Sequence, residues 1–180
     1  FGELFKEGVV VLSEENLLKA KAAHCPMPEA PSFRSLIPPL NEEQARVVDK
    51  IMTLASSDVR KPFLLHGVTG SGKTRIYLAL IEKMEKLLGP DVQMLLLVPE
   101  IALTPQATRI FEESFPQQVA VVHSVLGDSE RWRELMRIHS GAARILIGPR
   151  SAVFAPFKCL KLVIVDEEHD ASYKQNAGLC

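Results

Sequence analysis

Cysteine is scarce in this sequence, with three residues among 180 (Cys25, Cys159 and Cys180). They lie far apart, are odd in number and form no C-x-x-C pair, so the sequence indicates neither a zinc site nor a disulfide framework. We therefore expect reduced thiols, as in a cytosolic protein.

Long hydrophobic runs and a surplus of one charge are also missing. No stretch approaches the ~18 consecutive apolar residues of a membrane span, and no signal peptide is visible, so we expect a soluble protein with no membrane partner. The 21 basic and 22 acidic side chains give a formal net charge of −1, which argues against a wholly basic surface but allows local phosphate contacts. With 47% hydrophobic residues, the composition is globular rather than disordered, collagen-like or coiled-coil.

The first 39 residues differ from the rest. Residues 1–7 predict a last helical turn that ends at Gly8, and residues 9–12 predict an edge strand with no visible partner. Ser13 predicts the N-cap of a short helix, and five prolines between positions 26 and 39 predict a stiff, extended linker. The sequence starts without a methionine, and we expect its natural amino terminus to lie upstream. We divide the chain into the tail of a preceding domain (1–12), a linker with a short helix (13–39) and a main domain (40–180).

From Asn41 onward, hydrophobic patterning predicts alternating helices and strands. Asn41 and Gln44 form a capping-box pattern, Thr104 and Pro105 open a later helix, and Asp128 or Ser129 caps the last one. Trp132 is expected in the core. Strands followed by helices imply right-handed βαβ units and a mainly parallel sheet. Strands are predicted at residues 62–66, 92–98, 119–122, 144–147 and 162–165, and helices at 41–55, 73–88, 104–115 and 128–141.

Residues 67–74 complete the pattern G-x-x-x-x-G-K-[ST], after a predicted strand and before a predicted helix. Such a loop wraps its N–H groups around phosphate oxygens, and the helix dipole adds to the attraction. Lys73 supplies a charge for the β- and γ-phosphates and Thr74 a hydroxyl for Mg²⁺. A chance glycine-rich turn is the alternative. The predicted nucleotide-binding residues are Gly67, Thr69, Gly70, Ser71, Gly72, Lys73 and Thr74.

An acidic segment follows the last predicted strand. Asp166 and Glu167 stand where ligands bind in open α/β sheets, outside the carboxyl ends of the strands. Asp166 would hold Mg²⁺ and Glu167 would polarise the attacking water, which makes Lys73, Asp166 and Glu167 the predicted catalytic set for hydrolysis of a nucleoside triphosphate. The alternative is a solvated acidic turn. Glu168 is expected to be a solvated acid, and His169 is ambiguous.

Several motifs together resemble one known family. Beside residues 67–74 they comprise 98–106 (VPEIALTPQ), 123–124 (HS), 147–154 (IGPRSAVF) and 166–175 (DEEHDASYKQ). In order and spacing they resemble the PriA family of replication-restart helicases, which belong to superfamily 2. The resemblance implies a three-layer α/β fold, a RecA-like P-loop NTPase lobe with a mainly parallel sheet, preceded by a short winged-helix remnant and the proline-rich linker.

The resemblance also implies a function. It predicts an ATP- and Mg²⁺-dependent 3′–5′ DNA helicase of the bacterial cytoplasm that acts on single-stranded and forked DNA. Expected partners are single-stranded DNA-binding protein and the other primosome proteins, and the zinc of the family would be bound outside this chain. Helicases of this superfamily need a second RecA-like lobe, so residues 1–180 alone are expected to bind nucleotide with little turnover.

The resemblance also implies roles for individual residues, according to their positions in the matching motifs. Gln44 matches a glutamine that reads adenine, with capping of its own helix as an equal alternative. Thr104, at a helix N-terminus, has a capping role as its alternative, and for the loop residues an ordinary loop role is the alternative. Tyr173 suits base stacking. The residues expected near DNA are Thr104, Gln106, His123, Ser124, Arg150, Ser151, Tyr173 and Lys174.

Two other functions stay open at this point. One is a nucleotide-regulated DNA-binding module that loads partners without unwinding. The other is a different superfamily 2 translocase, such as a RecG-like motor.

Overall fold

A computed structural model describes residues 39–55, 62–67 and 70–173, together with the backbone of residues 7–12. These parts form six strands and four α-helices. Short 3₁₀ turns follow three of the strands, at Glu100–Ala102, Arg150–Phe154 and Ala171–Tyr173. In chain order the elements are β1 (Glu7–Leu12), α1 (Glu42–Ala55), β2 (Phe63–His66), α2 (Lys73–Leu88), β3 (Gln93–Leu97), α3 (Pro105–Ser114), β4 (Val119–Val121), α4 (Asp128–Ser140), β5 (Ile145–Gly148) and β6 (Leu160–Val165).

The six strands form one sheet in the order β2-β1-β6-β3-β5-β4. β6, β3, β5 and β4 are parallel to one another, and in β3 Leu96 pairs with Ile147 on one side and Ile164 on the other. This arrangement confirms the predicted mainly parallel sheet. It also aligns the carboxyl ends of these four strands along one edge, where the loops that follow them meet.

Helices cover both faces of the sheet. Alternate residues of β3 divide between two hydrophobic clusters: Leu96 lies with residues of α1, α2 and α3, whereas Leu95 lies with Ile138 of α4. All five residues of β3 are buried, as expected for a strand covered on both faces. The result is the predicted three-layer α/β fold.

The buried side-chain amide of Gln93, the first residue of β3, forms hydrogen bonds with two other segments of the chain. Its Nε2 donates to the carbonyl oxygen of Ile138 at 2.6 Å, and its Oε1 accepts from the backbone N–H groups of Lys158 and Cys159 at 2.7 and 2.9 Å. One side chain therefore provides the hydrogen-bond partner of a buried carbonyl and of two partly buried N–H groups.

The prediction of an unpaired edge strand at residues 9–12 is wrong. β1 lies inside the sheet and pairs antiparallel with β2 (Val9 with Leu64) and with β6 (Val10 with Ile164). The helical turn predicted to end at Gly8 is also wrong at its last two residues, which are in the strand. Both partner strands are distant in sequence, so local patterning could not reveal the pairing. Residues 1–6 and the helix and linker predicted over residues 13–38 lie outside the described residues, and the three-part division of the chain stays a prediction.

The helix ends agree with the sequence in most places. The Asn41 side chain accepts from the Gln44 N–H at 2.8 Å and Gln44 accepts from the Asn41 N–H at 3.1 Å, which confirms the capping box. Thr104 caps α3 by accepting from Ala107 N–H at 3.2 Å. For α4 neither Asp128 nor Ser129 is the cap. Gly127 precedes the first turn, and Glu130 reaches back to its N–H at 3.1 Å.

Trp132, which is predicted to lie in the core, is 64% exposed. Leu87 in the last turn of α2, which helical spacing places on the apolar face of that helix, is 53% exposed. In α4 the fully buried residue is Ile138. At ~100° per residue, Trp132 lies about 120° around the helix from Ile138, and so it faces away from the sheet. Among the helices that the structure describes, none has both the length and the apolarity to cross a bilayer.

Candidate nucleotide and nucleic-acid site

The glycine-rich loop connects β2 to α2. Gly70 and Gly72 have φ angles of +81° and +83°, a left-handed conformation that only glycine adopts readily. At Gly72 a Cβ would also collide with Nε2 of Gln44. Gly72 is the residue before the first turn of α2, so the loop ends at a helix N-terminus, as an anion-binding loop requires. Thr69 lies outside the described residues.

Two side chains hold this loop in shape. Lys73 Nζ donates to the carbonyl oxygen of Gly67 at 2.8 Å, across the loop. Gln44, which is 7% exposed, donates from Nε2 to the carbonyl oxygen of Ser71 at 3.0 Å. Gln44 is therefore both the capping residue of α1 and a contact between α1 and the glycine-rich loop. Its adenine-reading role stays a prediction.

Asp166 lies at the carboxyl edge of the sheet, directly after β6. Its N–H donates to the carbonyl oxygen of Leu97 in β3 at 2.8 Å. Its Oδ1 accepts a hydrogen bond of 2.9 Å from the hydroxyl of Tyr77, which is 2% exposed. Burial, and then the Asp166 carboxylate, raise the pKa of Tyr77 well above its ordinary value, so the hydroxyl keeps the proton that it donates. Because Tyr77 lies one turn after Lys73 and Thr74, α2 joins Asp166 to the glycine-rich loop.

The acidic turn has a fixed backbone. Glu167 is in the left-handed region with φ +50°, and its carbonyl oxygen accepts from Asp170 N–H at 2.8 Å. Its carboxylate approaches His169 Nε2 at 3.7 Å. Hydrogen bonds from Ser172 lower the pKa of Asp170 below its ordinary value. The turn therefore holds Glu167 beside Asp166 rather than leaving it on a free loop.

The oxygen atoms present fit Mg²⁺ bound with a nucleotide. Thr74 offers a hydroxyl, and no described residue donates to the second carboxylate oxygen of Asp166. No group of three or more His, Cys, Asp or Glu side chains suited to a metal occurs in the described part of the chain. Mg²⁺ needs few ligands from the protein, because it retains several waters and is also bound by substrate phosphates.

A cavity of about 470 Å³ lies beyond the carboxyl ends of β3, β4 and β5. Four of the residues predicted near DNA line it, namely His123, Ser124, Arg150 and Ser151. The structure thus brings together side chains that are far apart in sequence. Thr104 and Gln106 are exposed at the start of α3 and are not among the residues that line this cavity.

Tyr173 joins the cavity to Asp166. Its hydroxyl donates to the carbonyl oxygen of Asp166 at 3.1 Å, and its own carbonyl oxygen accepts from Arg150 Nη1 at 3.2 Å. Burial raises the pKa of Tyr173 above its ordinary value. Base stacking on this ring stays a prediction, and Lys174 lies outside the described residues.

Comparison with known proteins identifies the fold family. The family described as DEAD/DEAH box helicase matches residues 41–179. The chain belongs to this family. Within it, the helicase chain is similar to curated proteins named "Replication restart protein PriA". The protein from Bacillus subtilis (strain 168) is 49% identical over 137 residues, 76% of this chain and 17% of the relative.

Two further relatives carry the same name. The protein from Chlamydia trachomatis is 48% identical over 142 residues, 77% of this chain and 18% of the relative. That from Synechocystis is 39% identical over 173 residues, 96% of this chain and 19% of the relative. These matches confirm the resemblance drawn from the motifs. The helicase chain spans less than a fifth of the length of these three relatives.

Sequence reasoning missed three polar residues near these sites. The helical spacing of residues 73–88 groups Tyr77 with apolar side chains, but a buried tyrosine needs a partner for its hydroxyl. Glu100 and Arg131 were not singled out, yet both line the cavity. Glu100 lies three residues after the end of β3, and an acid just beyond the carboxyl end of a buried strand is the signal that could have identified it.

Proposed function

We propose that the protein is an ATP-dependent 3′–5′ DNA helicase of replication restart, and that this chain is its first RecA-like lobe. The observation that carries the proposal is the placement of α2. Its first turn contains Lys73 and Thr74, and its next turn holds Asp166 through Tyr77 at 2.9 Å. The phosphate-binding loop after β2 and the acid at the end of β6 then act on one nucleotide.

Each residue has a role in this proposal. Lys73 moves from the Gly67 carbonyl to the β- and γ-phosphates, and the N–H groups of the loop bind the phosphate oxygens. Thr74 and Asp166 hold Mg²⁺, which when bound neutralises charge on the phosphates. Glu167 orients the attacking water and takes its proton. Gln44 favours ATP by reading the adenine edge.

We propose that the nucleic acid binds along the carboxyl edge of the sheet. Hydroxyls, backbone N–H groups and arginines bind phosphates without reading bases, and the cavity offers all three. Single-stranded and forked DNA are the proposed substrates. The proposed partners are single-stranded DNA-binding protein and the primosome proteins, the proposed location is the bacterial cytoplasm, and the proposed zinc lies outside residues 1–180. The similarity to the PriA relatives supports these four proposals.

The test is strand displacement by the full-length protein on forked DNA. Substrates with a 3′ single-stranded tail, a 5′ tail or no tail are compared, with ATP and with a non-hydrolysable analogue. We expect displacement with ATP on the 3′-tailed fork. Displacement confined to the 5′-tailed fork contradicts the polarity, and ATP turnover without displacement favours a module that loads partners. Residues 1–180 alone are expected to bind nucleotide with little turnover, because related NTPases need an arginine supplied from outside the lobe.

A further inference from the structure

One residue that lines the cavity beyond β3, β4 and β5 is an acid, Glu100. Glu100, in the turn after β3, accepts a hydrogen bond of 2.8 Å from the backbone N–H of Ser124, in the loop after β4. Hydrogen bonds from Ser124, helped by nearby His123 and Arg131, lower the pKa of Glu100 below its ordinary value. The carboxylate is therefore ionised whenever the protein is folded near neutral pH.

The other polar residues that line the cavity carry cationic groups or hydrogen-bond donors. Arg131 is anchored by a bond of 3.4 Å from Nη2 to the carbonyl oxygen of His123, and Arg150 by its bond to Tyr173. Ser124, Ser151 and Ser172 also line the cavity. Arg131 is close enough to Glu100 to lower its pKa, and Arg150 lines the same cavity. Backbone N–H groups and guanidinium groups are the donors that bind phosphate diesters well. Among the described residues that line the cavity, Glu100 is the one acid.

We propose that Ser124 N–H, Arg131 and Arg150 form a phosphate subsite, that Glu100 occupies this subsite in the absence of nucleic acid, and that a strand of DNA binds there by displacing the Glu100 carboxylate. The proposal rests on the proposed function, since it assumes that this edge of the sheet binds DNA. The proposal adds that DNA competes with the Glu100 carboxylate, because both use the Ser124 N–H as a hydrogen-bond donor.

Competition between Glu100 and DNA predicts the direction in which a mutation at Glu100 changes the affinity for DNA. Glu100→Gln keeps the side-chain length but removes the charge that both competes with and repels the phosphate. It therefore strengthens binding of single-stranded DNA, by about fivefold for one ion pair at an exposed site. If Glu100 instead only fixes the loop after β4, the same substitution leaves binding unchanged or weakens it, because the Gln amide oxygen accepts from Ser124 N–H no better than the carboxylate does. Only the competing role therefore predicts a lower dissociation constant.

The experiment measures the anisotropy of a fluorescein-labelled oligo-dT with the full-length protein over a series of KCl concentrations. The variants are Glu100→Gln, Arg131→Gln and the double variant. Glu113→Gln is the matched control, because this exposed acid on α3 pairs with Arg109 and does not line the cavity. A thermal melt of each variant confirms that it is folded.

We expect a gain in affinity for Glu100→Gln and no gain for the control. Arg131→Gln weakens binding and lowers the slope of log affinity against log salt by about one, as loss of one phosphate contact does. In the Arg131→Gln background the gain from Glu100→Gln shrinks. Unchanged or weaker binding by Glu100→Gln, with wild-type protein still binding the oligonucleotide, overturns the subsite alone. Failure of the wild-type protein to bind the oligonucleotide overturns the proposed function as well.

Discussion

Replacing Tyr77 with phenylalanine tests whether α2 positions Asp166. The substitution removes one hydroxyl and keeps the ring, which is 2% exposed, so packing is unchanged. The lost bond is 2.9 Å long and ends on a carboxylate oxygen. Hydrogen bonds to charged groups contribute about 1.5–3 kcal/mol. Asp166 is only partly buried, so water replaces part of the bond and we take the lower value of about 1.5 kcal/mol.

That free energy corresponds to about a tenfold change in an equilibrium constant, which is also the lower bound for loss of a residue that orients a metal ligand. We therefore expect Tyr77→Phe to raise the Mg²⁺ concentration for half-maximal DNA-stimulated ATPase activity of the full-length protein about tenfold. At saturating Mg²⁺ most of the activity returns. A second readout is the Mg²⁺ dependence of binding of a fluorescent ATP analogue.

Tyr173→Phe is the matched control for this experiment. Its hydroxyl donates to the backbone carbonyl of Asp166 at 3.1 Å rather than to the carboxylate. Its loss should leave the Mg²⁺ midpoint in place. If Tyr77→Phe leaves the midpoint unchanged, or both substitutions shift it equally, Tyr77 does not position Asp166 and the reasoning is refuted.

Two further predictions concern stability. Gln93→Ala leaves the Ile138 carbonyl and two backbone N–H groups without their partner, and we expect a loss of about 3 kcal/mol or more in chemical denaturation; a loss under 1 kcal/mol would show that water replaces the amide. Lys161 is 3% exposed and its Nζ has no hydrogen-bond partner among the described residues, so Lys161→Met should raise the melting temperature at pH 7. Burial lowers the pKa of Lys161, so the unfolded chain binds this proton more tightly, and the advantage of Met should shrink as pH rises toward the ordinary lysine value of 10.5. An advantage that is constant or grows with pH would show that Lys161 is not desolvated.

The sequence predicted those parts of the site that depend on local pattern. The glycine-rich loop, Asp166 and Glu167 are each defined by neighbours along the chain, and a buried strand before an acid places that acid at the carboxyl edge of the sheet. The capping roles of Gln44 and Thr104 are local in the same way. Helix α2 has the predicted bounds because Gly72 and Gly89 delimit it.

What the sequence did not predict depends on contacts between distant segments. β1 pairs with strands more than fifty residues away, and the hydroxyl of Tyr77 finds its partner 89 residues later. The contact of Glu100 with Ser124 spans two loops that meet only once the sheet has formed. Trp132 shows a different limit: helical spacing groups it with apolar neighbours, but the sheet covers only the stripe of α4 around Ile138.

DNA-stimulated ATP hydrolysis by the full-length protein with Lys73→Ala tests the central claim most directly. Lys73 is the lysine of the glycine-rich motif and the first residue of α2. Lys86 is an exposed lysine of the same helix and pairs with Glu82. The claim predicts that Lys73→Ala abolishes hydrolysis and that the control variant Lys86→Ala retains it. Hydrolysis at the wild-type rate by Lys73→Ala would contradict the claim.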